Sequence, residues 1–414
     1  MEFFEYVSLE KARALIADSL NGCMTGSETV RLSNALGRVA AENILAQEDL
    51  PPFTRSTVDG FAVRSCDTFG ASETAPALFE IIGEVVMGEA TTLELLPGQA
   101  VVIPTGAMLP AGADAVVMIE HTEQPDTDTL LILRSAPPGE NLVFKGEDLR
   151  SGDIVVQTGE KLKPQHLGAL AACGCSSLLV RKRPTVGVIS TGDELADIDE
   201  PLGFGQIRDI NSYAVGAMLE DMGCNVARFG IVRDSYQNLL DVLANAISNC
   251  ELVVISGGSS VGTRDYTVKA IGALGTPGVL FHGVAIKPGK PTIFGIIRNV
   301  PIFGLPGHPA AAMTVCEQLV KPAVRKLYGQ DEKVKPYVIQ AQFVRSFASA
   351  PGRDDFVNVR IAKNADKITA EPILGKSGLI SIMVQTNGVV HIPSEKSGLY
   401  SDEMVEVILM KDAD

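Results

Sequence analysis

The 414-residue chain has no tryptophan, five histidines and only 5% aromatic residues, and none of its apolar runs reaches the length of a membrane span, which needs roughly 18 residues or more. Its opening residues, MEFFEYVSLE, lack the basic flank of a signal peptide. The expected place is therefore the cytoplasm. Positive charge is short as well: 35 Lys and Arg stand against 50 Asp and Glu, giving a formal net charge of −15 and a pI near 4.9. Nucleic acid and anionic lipid are gripped through extended basic surface, so neither nucleic acid nor membrane is expected as a partner, while local basic pockets are not excluded. Seven cysteines is an odd number, and apart from Cys173 and Cys175 they lie far apart, which encodes neither a disulfide framework nor a zinc ribbon. Cys173-Gly-Cys175 also lacks the Cys-x-x-Cys spacing of a redox pair. Cys224, Cys250 and Cys316 sit in apolar contexts, where cysteine serves as a small hydrophobe.

What is present is a pattern of strand, glycine turn and helix between Pro184 and Tyr328. PTVGVISTGDEL runs apolar into Thr191, Gly192, Asp193 and Glu194; ELVVISGGSSVGTRDYT breaks into glycines and reaches Asp265; VPIFGLPGHP turns through Gly304 and Gly307 into an alanine-rich helix. Continuous β-branched runs alternating with amphipathic helices predict a parallel sheet covered on both faces. Ligands of such sheets bind beyond the carboxyl ends of the strands, which is where these glycines and carboxylates fall.

The flanks read differently. Leu9, Ala12, Leu15, Ile16 and Leu20 repeat at helical spacing behind Ser8 as N-cap, and a second short helix is expected around Leu32 to Leu36, ending at Gly37. Short strands separated by Pro-Gly and Asp-rich turns follow from Pro51 to Val143, then a strand and a helix beginning near Pro164. After the charged linker GQDEKVKP come more short strands, YVIQAQFVRSF to MVEVILM, as in a small β-barrel. The predicted organisation is a multidomain α/β protein. It has a discontinuous amino-terminal domain (1–50 and 144–183), a β domain inserted in it (51–143), a central doubly wound α/β domain (184–328) and a carboxy-terminal β-barrel (336–414).

Asp193, Glu194, Asp234 and Asp265 fall at or just beyond strand ends, where hard oxygen ligands suit Mg²⁺; taken singly, each is equally well a turn or N-cap residue. The loop Ser256-Gly257-Gly258-Ser259-Ser260-Val261-Gly262 offers unobstructed backbone N–H groups to an anion. It is neither a P-loop nor a dinucleotide fingerprint. In AIKPGKP, Lys287 and Lys290 flank a Pro-Gly turn, a place for phosphate or an oxyanion or simply a solvated basic turn. Asp59 in STVDGFAV and Glu147 and Asp148 in KGEDL read locally as turns.

Together STGDEL, SGGSSVG, RDYT, AIKPGKP and GLPGHP, with STVDGFAV, PTGA, GADAVV, KGEDL and PGRDDF, resemble the molybdopterin molybdenumtransferases, the family that includes the corresponding half of gephyrin. The resemblance spans essentially the whole chain in the family's order. It implies an elongated homodimer of four-domain subunits that inserts molybdate into adenylylated molybdopterin with Mg²⁺ and releases AMP. The central domain would bind the pterin, and the β-rich amino-terminal part of the other subunit would complete the cleft. By the same resemblance Asp59, Thr105 and Asp148 are the catalytic wall, with Asp59 foremost in metal insertion. Glu194, Asp234 and Asp265 hold Mg²⁺ and substrate, and Lys287, Lys290, Arg353 and Ser377 contact oxyanion and phosphate. Gly257, Gly258, Ser260, Gly262, Gly307 and His308 complete the substrate-binding set, and the molybdopterin adenylyltransferase is implied as a further partner. The chain departs from the family where GLPGNPVS becomes Gly-Leu-Pro-Gly-His308-Pro-Ala310-Ala311, and at Arg55, Val58, Phe61 and Ser259. These departures keep two alternatives open, a paralogue inserting tungstate and a non-catalytic molybdopterin carrier or scaffold. The full set of carboxylates argues against the second.

Overall fold

The computed structural model describes residues 6–257, 261–330, 336–364 and 367–410, with the side chains of 261–265 and of 364 outside that description. The chain forms two compact units, Met1–Glu28 with Arg181–Asp414, and Thr29–Val180.

In the Thr29–Val180 unit, residues from both ends of the segment, among them Ala35, Ala40, Ile44, Val156, Leu162, Leu170 and Val180, share one buried cluster. The segment between them carries a six-stranded sheet in the order Ala115–Met118, Gly60–Val63, Gln99–Ile103, Ala77–Glu84, Thr129–Ile132, Thr122–Glu123. Strand Gly60–Val63 is buried at all four positions because it pairs antiparallel with a neighbour on each side. The helix Pro164–Ala172 starts on its proline, whose missing N–H costs nothing in a first turn. The short helix expected near Leu32 is a single 3₁₀ turn, Leu32–Asn34. Ser33 and Asn34 favour local side-chain bonds over helix continuation, and Leu36, which a longer helix would need to bury, is exposed.

In the other unit the helix Leu9–Ser19 is capped by Ser8, whose hydroxyl accepts from Lys11 N–H at 3.1 Å, and it packs on Cys316–Val320 and Lys321–Leu327. The central sheet runs Asn225–Val232, Thr185–Thr191, Leu252–Gly257, Val300–Leu305, Ile293–Ile297, Pro277–His282. Its first four strands are parallel, as the sequence pattern predicts, but Ile293–Ile297 runs antiparallel to both its neighbours, Val300–Leu305 and Pro277–His282. A two-residue turn explains the difference. Arg298 and Asn299 have φ of 51° and 69°, the paired left-handed conformation that closes a tight hairpin compatible with strand twist. Ile189, Val253, Ile255, Leu243, Ile271 and Ile302 are among the residues that fill the core between sheet and helices.

The carboxy-terminal strands form a closed barrel: Asp354–Asn364, Lys367–Pro372, Val338–Phe343, Met404–Leu409 and Gly388–Ile392 pair in turn, and the last pairs back to the first. Ile286–Lys287, from the central region, adds to the beginning of Asp354–Asn364 in parallel register, Ile286 opposite Asp354 and Lys287 opposite Asp355. No helix among the described residues is long and apolar enough to cross a membrane.

Candidate active site

That register builds a site. Lys287 and Asp355 stand opposite one another, and Lys287 Nζ lies 3.8 Å from the Asp355 carboxylate. Arg353, two residues back, folds onto the same carboxylate through Nε at 2.8 Å and Nη2 at 3.4 Å. Asp355 is only 1% exposed, so its charge is spent on these two cations. Around them opens a cavity of ≈ 860 Å³ whose wall includes Tyr6, Lys290, Gly307, His308, Phe347 and Ser377, a volume within the usual range for small-molecule sites. Six of the expected substrate-binding residues, Lys287, Lys290, Gly307, His308, Arg353 and Ser377, thus line one cavity. His308 Nδ1 and Ser377 Oγ are 2.8 Å apart, and Ala310 N–H donates to the Ser377 carbonyl at 3.2 Å. Among the described residues of the lining, three cations against one carboxylate leave a net charge of two positive.

The carboxyl ends of the parallel strands deliver the second group of candidates. Asp193 and Glu194 follow Thr185–Thr191, and Asp234 follows Asn225–Val232. Asp234 N–H donates to Asp193 Oδ1 at 3.1 Å, and Arg233 Nη1 donates to the Asp193 carbonyl at 2.7 Å. Asp234 Oδ1 is buried, with no hydrogen-bond partner among the described residues. Burial first, then the charges of Asp193 and Glu194, push the Asp234 carboxyl above the ordinary carboxylate range. An acidic side chain in that position needs a proton or a cation, and a hard dication suits the donor set. Gly257 ends its strand at φ 135°, where a Cβ would overlap the Thr191 carbonyl oxygen, so only glycine fits. Gly258 and Ser260 lie outside the described residues. Gly262 and Asp265 belong to the helix Val261–Leu274, at positions whose side chains are not described. Among the described residues no three His, Cys, Asp or Glu gather as a metal site.

Asp59, Thr105 and Asp148 belong to the Thr29–Val180 unit. Asp59 Oδ1 accepts from Thr105 N–H at 2.7 Å and from the Thr105 hydroxyl at 2.9 Å. The partner is 46 residues away, so Asp59 has a tertiary role that a local turn would not require. These two donors, the backbone one first, hold its carboxyl below the usual range, and Asp59 is ionised at neutral pH. Asp148 is exposed and lines a shallow depression with Leu50, Gln165 and His166.

Family models match three consecutive parts of the chain: the MoeA N-terminal region (domain I and II) over residues 7–174, a probable molybdopterin binding domain over 187–326, and the MoeA C-terminal region (domain IV) over 340–410. Molybdopterin molybdenumtransferases of Staphylococcus epidermidis and Staphylococcus aureus are each 34% identical over 92% of this chain and 90% of their own. The chain belongs to the MoeA family. Two crystal structures of molybdopterin biosynthesis MoeA proteins from Pyrococcus horikoshii agree with it at TM-scores of 0.83 and 0.84, with 37% and 31% identity, over 98% of this chain. Its fold is the multidomain MoeA fold, with a β-rich amino-terminal region, a central molybdopterin-binding-type domain and a barrel-like carboxy-terminal domain. As a MoeA-family member it is a transferase of molybdenum cofactor biosynthesis.

Two site residues escape sequence reasoning. Asp355 sits in the PGRDDF motif, yet nothing local distinguishes it from Asp354; only the barrel register turns it toward Lys287. Asn211, 7% exposed, donates through Nδ2 to Ser256 Oγ and to the Gly307 carbonyl, both at 2.8 Å. It ties together the ends of two strands, and its Oδ1 is buried and without a partner among the described residues. Among the departures from the family pattern, His308 keeps a polar contact where Asn is usual, through Ser377. Ala310 and Ala311 are buried and line the cavity without a hydroxyl.

Proposed function

We propose that the chain inserts molybdate into adenylylated molybdopterin with release of AMP, and that the oxyanion binds in the cavity of Lys287, Lys290, Arg353, His308 and Ser377. The observation that carries this reading is the cavity's net charge of two positive, set by Asp355 against three cations. Molybdate carries two negative charges, and charge-assisted hydrogen bonds from fixed cations are the strongest contacts available to it. Delivering a dianion to a dithiolate also requires its repulsion to be offset, which fixed positive groups do without reorganising.

Each molybdate oxygen that a sulfur displaces leaves as water only after taking up protons. Asp59, ionised and held by Thr105, is suited to accept and pass on a proton rather than to start as the donor. That narrows the acid role expected of it. Mg²⁺, held by Glu194 and Asp234 and on the family pattern by Asp265, would neutralise phosphate charge on the adenylylated substrate. A melting temperature that rises with Mg²⁺ in the natural protein but not in Asp234→Asn would support that assignment; equal shifts in both would remove it. The working form is proposed to be a homodimer.

The deciding experiment measures AMP release from adenylylated molybdopterin with molybdate, tungstate or no oxyanion. Molybdate-dependent release establishes the reading, tungstate-only release assigns the paralogue activity, and no release with either oxyanion leaves a carrier. Lys287→Ala and Lys290→Ala should each weaken oxyanion binding about 10-fold or more, the scale of one lost charge-assisted bond. Intact binding in both variants would make the loop a solvated basic turn.

A further inference from the structure

The cations of the oxyanion cavity are not held alike. Lys287 and Arg353 lean on the Asp355 carboxylate. Among the described residues Lys290 forms no ion pair; its ammonium lies over the ring of Tyr6, 4.0 Å from the centroid. Tyr6 itself lines the cavity and is 43% exposed. Its place is fixed by backbone: the next residue, Val7, donates to the Gly283 carbonyl at 3.2 Å and accepts from Ala285 N–H at 2.8 Å, forming a parallel bridge to Val284. Gly283 leaves the space the ring needs, since a Cβ there would collide with Tyr6 Cδ1. The chain before the first helix is thereby pinned beside the loop that carries Lys290.

We propose that Tyr6 is a positioning residue of the oxyanion cavity, holding the Lys290 ammonium by its aromatic face; the inference rests on the reading of that cavity given above. The physical distinction is between orienting a cation and neutralising it. A carboxylate does both, while an aromatic ring attracts the ammonium through its quadrupole and leaves the full charge for an incoming anion. A free lysine side chain loses substantial rotamer freedom when it closes on a ligand, and a ring that already restricts Lys290 lowers that cost before the anion arrives. Were Lys290 also paired to a carboxylate, the cavity would carry one positive charge and match a dianion poorly. Tyr6 therefore permits three ordered cations with only one carboxylate.

The test compares Tyr6→Phe, which keeps the face, with Tyr6→Leu, which keeps apolar bulk and removes it. Molybdate binding to the full-length protein is read by calorimetry, and KM for molybdate by AMP release. Tyr6→Phe should bind within about twofold of the natural protein. Tyr6→Leu should bind about three- to tenfold more weakly, in line with the size of cation–π contacts, with KM raised and kcat little changed. In a Lys290→Met background Tyr6→Leu should add nothing. Equal binding by Tyr6→Leu and Tyr6→Phe would overturn the proposal, as would an undiminished effect of Tyr6→Leu in the Lys290→Met background, which would mean that Tyr6 acts through packing alone. If the natural protein binds neither molybdate nor tungstate, the reading of the cavity itself fails; if it binds and only the Lys290 variants are weakened, Tyr6 alone is wrongly assigned.

Discussion

Asp355 is the residue on which the cavity depends most. Buried and bonded to Arg353 at 2.8 Å, it costs desolvation energy that its two cations repay only as long as both stay in place. Asp355→Asn should destabilise the protein by about 1–3 kcal/mol in urea unfolding, since a charge-assisted contact is lost and the buried amide gains poor partners. It should also weaken molybdate binding, even though the cavity becomes more positive, because Arg353 and Lys287 lose their orientation. Tighter binding would show that net charge alone decides. Thr105 acts on Asp59 in a comparable way. Its donors lower the Asp59 pKa below the ordinary 3.8, so their contribution to stability is present above that value and is lost as pH falls through the lowered pKa. Thr105→Val removes the hydroxyl but keeps the larger, backbone donor. The pKa of Asp59 should then rise part of the way back, and the acid limb of the pH–rate profile should move to higher pH. An unmoved limb would mean that Asp59 does not titrate in the reaction.

At the scale of elements, the short strand Ile286–Lys287 decides which residues meet. It leaves the central region, pairs with the barrel strand Asp354–Asn364, and so sets Lys287 opposite Asp355. A shift of one residue would reverse every side chain and separate Lys287 from that carboxylate. The loop after it turns at Gly289, φ 127°, where a Cβ would press on Val315 Cγ2 at 2.5 Å. Gly289→Ala should cost about 1–3 kcal/mol, the scale of a strained backbone position. It should weaken molybdate binding several-fold more than it changes pterin binding, because the displaced loop carries Lys290 and follows directly on Lys287. Equal losses for the two ligands would indicate general unfolding of the region.

For the whole molecule, the two groups of candidates fall in different compact units of the chain: Asp59 with Thr105 in one, the strand-end carboxylates and the proposed oxyanion cavity in the other. The proposed homodimer places a test on this separation. Mixing an Asp59→Asn subunit with a Glu194→Gln subunit should regenerate activity in dimers that contain one of each, whereas each variant alone is inactive. Absence of recovery in demonstrably mixed dimers would count against a site shared between subunits.

Much of this was legible in the chain itself, because local rules are strong where strands are buried on both faces. Unbroken runs such as VVISGG and IFGLPG mark parallel strands, Ser8 and Pro164 mark helix starts, and the glycines and carboxylates at the ends of these runs mark the candidate site. The order of motifs identified the family. What the sequence could not reveal is long-range register. Arg298 and Asn299 look unremarkable until their paired left-handed φ angles show that Ile293–Ile297 and Val300–Leu305 form a hairpin. Asp59 reads as a turn residue because its partner Thr105 is 46 positions away. Asp354 and Asp355 are chemically identical neighbours, and only the pairing of barrel strand with Ile286–Lys287 decides which one is buried between two cations. Periodicity fixes which residues face inward along one strand; which strand lies beside it, and hence which charges meet, is decided by tertiary packing.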